Sequence, residues 1–445
     1  MSDTLFELPP PVEPEQRPRI KPRPRVLTPN REQVELRAVD LEGLLPMDHR
    51  ARIVWQFVEG LDLSVLYDSI QAVEGGSGHP ATDPRILMAL WLYGTLEGVG
   101  SARALDRLTG QHDAYRWICG GVPVNYHTLA DFRVGNMALL DDLLTSSVAT
   151  LMAEGLVEMN RVAQDGVRVR ASAGAPSFRR RQTLEECLKE AGEQVAQLRR
   201  EVHEDPGAAS RRQGAARQRA AKERQERVAR ALARMPEAEA KKRKQGKKEE
   251  GKQQARVSTT DPEATIMKMA DGGFRPAYNA QFATDTDSQV VVGVEVIQNG
   301  SDQGQMAPMI EQLEHRYEKL PNSFLIDGGY VNHKDIDEVS EKDCIVYAPI
   351  PKPKKSQRDP HEPLPDDSPA VAEWRRRMGT DEAKEIYKLR AATAECTNAQ
   401  ARNRGLQRLP VRGWWRVRAV LLWFALAHNL MRMIALRAAQ VAATA

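Results

Sequence analysis

The sequence predicts a mixed α/β fold, with a sheet flanked by helices, an all-helical region before it and a helical hairpin inserted into it. Residues 39–155 show the caps and apolar spacing of several short helices. Strand-like alternation begins near residue 157 and resumes at residue 277, with a long helical stretch in between. Strand and helix signals then alternate, which is typical of a sheet covered by helices.

The charge of the chain is divided unevenly. The 445 residues carry a net charge of +3. Residues 179–256 hold 23 Lys and Arg against 13 Asp and Glu, a net charge of +10, so the rest of the chain has a net charge of −7. A basic segment in an otherwise acidic chain indicates a polyanionic partner, most often nucleic acid.

The cysteine pattern and the hydropathy pattern exclude several classes of protein. The four cysteines form no C-x-x-C pair, which argues against a zinc finger or a disulfide framework and fits a reducing compartment. No signal peptide is expected, because the N-terminus is polar and rich in proline. The most apolar run, residues 419–427, is too short to span a bilayer. We therefore expect a cytoplasmic protein without a membrane partner.

The N-terminal third predicts an arm followed by a helical domain. Residues 1–38 are expected to be disordered, because the first 30 contain eight prolines beside a basic run. This arm serves either as a DNA contact or as a solubilising tail. In the helical domain, Asp83 begins one helix, and a capping box at Thr128 opens a longer one. Such short helices are compatible with a DNA-binding helix-turn-helix arrangement and equally with a plain bundle.

An acidic residue stands in the middle of the first strand-like segment. Val162, Val167 and Val169 alternate with polar residues, and Asp165-Gly166 lies among them. A carboxylate in a strand is disfavoured by β-propensity, so Asp165 is a candidate functional residue. Asp-Gly is also a common hairpin turn, and a turn between two short strands is the alternative.

The basic insert predicts an antiparallel helical hairpin. A break at Asp205-Pro206-Gly207 separates the first helix from a weaker apolar stripe, and residues 241–252 are expected to form a disordered exit. The first helix has a heptad seam, made of Leu184, Leu188, Ala191, Val195, Leu198 and Val202. Because the seam is shorter than four heptads, we favour a hairpin that folds on itself and contacts DNA. Pairing with a second copy of the chain is the alternative.

Beyond the insert, the chain predicts alternating strands and helices. Strand 323–330 ends in Asp327 and two glycines, a carboxylate at a strand tip with room for close backbone approach. Residues 351–379 are rich in proline and charge and are expected to be a loop. The other predicted elements are a hairpin of strands 277–284 and 290–297, a helix capped by Ser301 and Asp302, helix 332–339, strand 344–350 and helix 414–436.

Residues 380–405 predict one long helix, begun by N-cap residue types and ended by glycine. No proline or glycine interrupts it, and alanine is frequent. A step of four residues brings Tyr387, Ala391 and Glu395 to one face, with Arg402 two turns further along. This shallow face with one carboxylate suits a metal ion or a phosphate. A solvated amphipathic helix with a Glu–Arg pair is the alternative.

Asp165, Asp327 and Glu395 thus lie on three separate predicted elements. Functional residues of a mixed sheet collect at strand ends, so we expect these carboxylates to converge. Three convergent carboxylates would bind hard divalent cations such as magnesium through oxygen. Two such ions, about 4 Å apart, would clamp the attacking and leaving oxygens of a phosphodiester.

Six stretches carry a resemblance to a known family. Those around the carboxylates read QDGVRVRASAG, FLIDGGY and YKLRAATAECTNAQARNRG. The others are VDLEGLLPMDHRARIVWQFVEGLDLSVLY, ATDPRILMALWLYGTLEGVGSARALDRL and RAVLLWFALAHNL. In this order, over residues 39–433, they resemble the DDE transposases of bacterial insertion sequences.

The resemblance implies an RNase H-like mixed sheet flanked by helices, with an Asp-Asp-Glu triad made here by Asp165, Asp327 and Glu395. These three would be the catalytic residues and the ligands of Mg²⁺, with Mn²⁺ as a substitute. Glu295 and Asp302 are the next carboxylates to consider.

The same resemblance implies contacts with DNA. The Tyr/Arg/Glu helix signature of the family matches Tyr387, Arg390 and Glu395. The lysine that often follows is absent, and Arg402 is the nearest candidate. Tyr387, Arg390 and Arg402 are therefore the expected DNA-binding residues.

The expected domains follow from the resemblance and from the pattern together. They are a disordered arm (1–38), a helical DNA-binding domain (39–155), an RNase H-like catalytic domain (156–178 and 257–436), an inserted basic hairpin (179–256) and a tail (437–445).

The reaction implied is nicking at a transposon end, followed by attack of the freed 3′-hydroxyl on target DNA. Expected partners are double-stranded DNA, as transposon ends and as target, and a second copy of the chain in a homodimeric synaptic complex. The expected compartment is the nucleoid of a bacterial cytoplasm. A nuclease that cuts without joining is one alternative. A DNA-binding protein without activity is another, which the presence of all three carboxylates argues against.

Overall fold

The computed structural model describes residues 32, 40–73, 75, 79–204, 211–244, 254–351 and 358–444. The predicted arm, apart from residue 32, lies outside the described residues, and so do the predicted break at 205–207 and most of the lysine-rich exit. From Leu41 onward the chain forms one compact unit.

Short helices make up the first part of this unit. Asn125, whose side chain accepts from the backbone N–H groups of His127 and Thr128, begins the helix that was predicted to start at Thr128. That helix breaks at Asn136, so the predicted longer helix is two helices. The helices here are α1 (Arg50–Glu59), α2 (Ser64–Asp68), α3 (Pro84–Leu96), α4 (Ala102–Gln111), α5 (Asp113–Cys119), α6 (Tyr126–Gly135) and α7 (Met137–Ala153).

A mixed sheet follows, as predicted. The order of its main path is β4-β5-β1-β7-β8, and β6 pairs with β5 beside β4. β1, β7 and β8 are parallel neighbours, whereas β5 is antiparallel to β1, β4 and β6. The strands are β1 (Arg161–Arg170), β4 (Thr265–Lys268), β5 (Phe274–Asp285), β6 (Val291–Ile297), β7 (Ser323–Leu325) and β8 (Ile345–Tyr347).

The insert is an antiparallel hairpin, as predicted. Gln194 accepts a hydrogen bond from Arg224, and Leu198 accepts one from Gln218, so the two long helices run in opposite directions. The lysines predicted to begin a disordered exit lie instead in a third helix, up to Lys244. The helices are α8 (Arg181–Glu204), α9 (Arg211–Ala233) and α10 (Met235–Lys244), and the two-stranded ladder at their base is β2 (Phe178–Arg179) with β3 (Val257–Ser258).

Helices cover the sheet and complete the fold. Two of them begin where the sequence did not predict the start of a helix. The one predicted to be capped by Ser301 and Asp302 begins at Met306, and the predicted loop 351–379 contains a helix begun by Ser368. They are α11 (Met306–Tyr317), α12 (His333–Ser340), α13 (Pro369–Met378), α14 (Asp381–Arg390), α15 (Cys396–Asn403) and α16 (Trp414–Thr444).

The last helix, α16, joins the helical region to the sheet. Its Trp423 and Phe424 are buried in one hydrophobic core that extends from α1 to α16. Its Asn429 side chain exchanges two 2.8 Å hydrogen bonds with the backbone of Val291, which covers the free edge of β6. In the described residues, α16 is long and apolar enough to cross a membrane by composition, but 61% of its most apolar window is buried inside the protein. This is the burial of a core helix.

Candidate active site

Asp165 lies on a continuous strand, which excludes the alternative of a hairpin turn. It pairs with Phe282 on β5, and β1 is flanked on its other side by β7. Its Oδ1 accepts from the Gly166 N–H (2.9 Å), and its Oδ2 accepts from the Asn398 side chain of α15 (2.9 Å). The carboxylate is therefore fixed at the centre of the sheet.

Asp327 follows the end of β7 by two residues. The parallel register pairs Ala163 with Leu325, so Asp165 and Asp327 each lie two residues beyond the last pair. Neighbouring strands are about 4.8 Å apart, which brings the two carboxylates to the same edge of the site. Asp327 Oδ1 accepts from the Gly329 N–H at 2.7 Å, so the glycine turn holds this side chain in place.

Glu395 belongs to a π-helical segment, Ala391–Glu395, between α14 and α15. Sequence spacing predicted an uninterrupted helix and did not foresee this wider turn. A π-helix joins residues five apart, and the side chains of Arg390 and Glu395 are five apart and paired at 3.6 Å. Glu395 is the most exposed of the three carboxylates.

The guanidinium of Arg390 joins the three predicted triad residues. Its nitrogens lie 4.0 Å from Asp165 Oδ1, 3.6 Å from Asp327 Oδ2 and 3.6 Å from Glu395 Oε1. The side chain is only 10% exposed. The three carboxylates therefore converge on one cation, which belongs to the protein itself.

Burial and charge oppose each other at Asp165. Loss of solvent raises the pKa of its carboxyl group, and the positive charge of Arg390 opposes this rise. The negative charges of Asp327 and Asp302 raise the pKa further. An additional cation at this position would favour the ionised form of Asp165.

Of the other predicted DNA-binding residues, Tyr387 lies within electrostatic reach of the triad. Tyr387 is partly buried against the core, and burial raises the pKa of its phenol group. Arg402 is exposed in the last turn of α15. Arg390, in contrast, is directed at the three carboxylates. The roles of these three residues in binding DNA remain predictions.

Polar contacts hold the helix that carries Glu395 on the sheet. Thr397 lies 3.3 Å from Thr284 of β5, hydroxyl to hydroxyl. His428 of α16 donates through Nε2 to the Gln289 carbonyl oxygen (2.8 Å), and its Nδ1 lies 3.1 Å from the side-chain amide of Gln400. Burial lowers the pKa of His428 to about 4, so its ring is neutral near pH 7.

A buried polar cluster beside Asp165 was not predicted. Gln281 of β5 accepts from Gln164 (3.0 Å) and from the Tyr330 hydroxyl, and its amide nitrogen donates to Asp302 (2.8 Å). A Cβ at position 166 would collide with the side chains of Gln281 and Asp302, which explains the glycine that follows Asp165. The available sequence signal was a pair of amide residues two positions apart on β5, Asn279 and Gln281, which a strand places on one face.

Of the alternative carboxylates, Asp302 lies in this cluster, next to the triad. Glu295 is the cross-strand partner of Gln281 on β6, and its Oε2 lies 3.8 Å from Arg418 Nε of α16. In the part of the chain that the structure describes, no three His, Cys, Asp or Glu side chains are grouped as metal ligands.

Comparison with known proteins gives two family matches. Residues 239–430 match a family described as Transposase DDE domain, and residues 39–134 match a family described as Transposase domain (DUF772). The first range contains Asp327 and Glu395, whereas Asp165 precedes it. No curated protein and no solved structure matches the chain. The two matches lie in the order of the predicted helical and catalytic regions, and together they support a DDE transposase of the insertion-sequence type.

Proposed function

We propose that the protein nicks the ends of an insertion sequence and joins the freed 3′-hydroxyl to target DNA at the site formed by Asp165, Asp327 and Glu395. One observation carries the proposal: carboxylates from a central strand, from a strand end and from a helix meet around a single positive charge. Such a constellation binds a cation between oxygen ligands, which is what phosphoryl transfer requires.

The cutting step and the joining step need no reactant other than water and the two DNA molecules. In the first step, water attacks a phosphodiester, the bond from phosphorus to the 3′-oxygen breaks, and a 3′-hydroxyl and a 5′-phosphate are left. In the second step, the 3′-hydroxyl attacks a target phosphodiester, and one P–O bond forms as another breaks. The chain contributes carboxylates from three elements, of which Asp165 is held by Gly166 and Asn398 and Asp327 is held by Gly329.

The donor set fits Mg²⁺, because all three side chains are carboxylates and Mg²⁺ prefers oxygen. Bound there, the metal would activate the attacking oxygen and stabilise charge on phosphorus. Arg390 now neutralises the same three side chains, so it stands in for a cation. We infer that its guanidinium turns from the carboxylates toward a DNA phosphate when the metal binds.

DNA would lie across the triad and reach the inserted hairpin. Arg402 and Tyr387 are the proposed contacts next to the site, and the hairpin supplies long-range attraction through its net charge of +10. The helical N-terminal region would bind the transposon ends. Two copies of the chain would hold two ends in a synaptic complex.

Strand transfer with a pre-cut donor tests the proposal. Purified protein, a donor duplex with a free 3′-hydroxyl and a supercoiled target are incubated with Mg²⁺, with Mn²⁺, with Ca²⁺ or with chelator. We expect joined products with Mg²⁺ and Mn²⁺ and none with chelator. Ca²⁺ should support binding with little joining, because its looser coordination positions the nucleophile poorly.

Cutting of uncut ends without any joining would instead identify a nuclease. Full cleavage in chelator would contradict the metal-dependent mechanism.

A further inference from the structure

Two arginines from distant parts of the sequence lie side by side at the end of β1. Arg170 is the last residue of that strand, and an isolated parallel bridge pairs it with Arg408. Two backbone hydrogen bonds hold the bridge, from the Arg170 N–H to the Gln407 oxygen (3.3 Å) and from the Leu409 N–H to the Arg170 oxygen (2.8 Å). Both arginines are exposed, so their guanidinium groups are accessible to a partner.

Arg412 connects this pair to the inserted hairpin. Its Nε donates to the carbonyl oxygen of Ser172, two residues beyond Arg170, at 2.9 Å. On the hairpin, Arg227 of α9 lies within electrostatic reach of Arg412. Burial lowers the pKa of Arg227, and the positive charges of Arg412 and Arg230 lower it further. Positive charges from three separate segments are therefore held close together.

These charges are only partly balanced by acidic side chains. Arg227 has one acidic partner, Glu223, at 3.6 Å. In the part of the chain that the structure describes, Arg170, Arg408 and Arg412, the junction arginines, form no ion pair. Like charges held together without counter-charges repel one another, and a bound polyanion would remove this repulsion.

The junction arginines lie beyond the triad along β1. The pairing of β7 with β1 ends at Ala163, and β1 continues past Asp165 as far as Arg170. The step from Asp165 to Arg170 spans about 17 Å, at about 3.3 Å for each residue of a strand. One DNA strand rises about 3.4 Å per nucleotide, so this distance corresponds to about five nucleotides. DNA that leaves the triad toward the hairpin would pass over the junction arginines.

We propose that the junction arginines bind the phosphate backbone of double-stranded DNA about five nucleotides from the phosphodiester at the triad. The inference rests on the proposed action on DNA. It adds a short-range contact that fixes the course of the duplex between the triad and the hairpin, whose own charge acts at long range. Arginine suits this contact because its planar group of donors matches the oxygens of a phosphate.

Fluorescence anisotropy in chelator tests the contact, because it measures binding of a labelled duplex without cleavage. The log–log slope of affinity against salt should become less steep by about 0.9 in Arg170→Gln and in Arg408→Gln, since each loses one phosphate contact. The double variant should lose about 1.8. Arg408→Lys keeps the charge and should keep the slope. Thermal unfolding checks that each variant folds.

The matched control is Lys319→Gln, which removes an exposed charge just before β7, at the opposite end of the strands from the triad. It should leave the slope unchanged. An unchanged slope in the double variant would overturn the contact. An equal change of slope in Lys319→Gln would show an effect of net charge alone and would overturn the contact as well.

Single methylphosphonates in a pre-cut donor end test the position of the contact, because each replaces one charged phosphate by a neutral group. A methylphosphonate about five nucleotides from the 3′-hydroxyl should weaken binding by the wild type about tenfold, as the loss of a charged hydrogen bond would. It should weaken binding by the double variant much less. A scan in which no position distinguishes the two proteins would overturn the placement.

These binding results separate the contact from the chemistry. A protein that fails to cut or join DNA can still show the expected slopes, and then only the proposed reaction is wrong. A protein that joins DNA but keeps its slope in the double variant would reject the junction arginines alone.

Discussion

Positive charge has different surroundings at the centre of the sheet and on the inserted hairpin. At the centre, Arg390 is nearly buried and touches three carboxylates on three elements. On the hairpin, basic side chains such as Arg200, Arg219 and Lys222 are exposed, and the segment has net charge +10. The first arrangement acts over a few ångströms in fixed geometry, where salt screens little. The second acts at long range and is screened by salt.

The largest expected effect is at the centre. Asp165→Asn, Asp327→Asn and Glu395→Gln should each lower DNA cleavage about 10³-fold or more, because each removes a charged oxygen while keeping the shape of the side chain. Gel-based cleavage assays measure the rate, and thermal unfolding checks that each variant folds. Glu341→Gln, at an exposed carboxylate outside the site, is the matched control.

Cleavage at the normal rate by any one of the three variants would remove that residue from the triad. Asp302 would then be tested next, because it already lies beside Asp165.

The hairpin should affect binding without affecting the chemistry. Deletion of residues 182–252, with a short Gly-Ser bridge, should weaken DNA binding and flatten its salt dependence. The log–log slope should fall by about 0.9 for each DNA phosphate that the hairpin neutralises in the full-length protein. The bridge is feasible because β2 and β3 pair at the base of the insert. Fluorescence anisotropy over a range of salt concentrations measures the slope.

A full-length variant distinguishes the loss of positive charge from the loss of the hairpin itself. Substitution of Arg199, Arg200, Arg219 and Lys222 by Gln keeps the hairpin and should flatten the slope in the same direction. An unchanged slope in the deletion, together with loss of end pairing, would make the hairpin an oligomerisation element.

A smaller effect is expected from His428, which links α16 to α15 through Gln400. Its pKa is lowered to about 4 in the folded chain from an ordinary value of 6.5. The unfolded chain therefore binds more protons between these values. The stability that the neutral ring provides is complete above pH 6.5 and is lost as pH falls toward 4, by about 3 kcal/mol at most.

Denaturant unfolding of the wild type and of His428→Gln, at several pH values, measures this contribution. The difference in free energy of unfolding between them should shrink as pH falls from 6.5 to 4. A difference that is independent of pH would show that His428 titrates normally. The hairpin is remote from this residue, so its deletion should leave the pH dependence unchanged.

The sequence predicted the elements whose signals are local. Leu184 and Ala191 of the heptad seam are buried, and Leu184 packs with Ala231 of α9. The strand around Asp165 is continuous. Both were predicted because apolar periodicity is a property of neighbouring residues. The helix at Pro369 was missed, since its proline and charges read as loop, while Trp374 is buried by tertiary packing.

The contacts of the site depend on tertiary structure and could not be predicted in the same way. The carboxylates were found as candidates, but nothing in the local sequence placed Arg390 among all three. Asn398, which donates to Asp165 from 233 residues away, gave no signal of its own. The network around Gln281 likewise joins residues from separate strands and loops.

The π-helical turn contains one residue more than a regular helical turn. The direction in which the side chains of α15 point depends on this extra residue. One residue advances an α-helix by about 100°, so a wider turn changes the direction in which all later side chains point. Removal of one alanine from this segment would restore a regular helix at no cost in local propensity, yet it would turn either Glu395 or the sheet contacts Thr397 and Asn398 away from the sheet. The number of residues in the π-helical segment is therefore constrained more tightly than their identity.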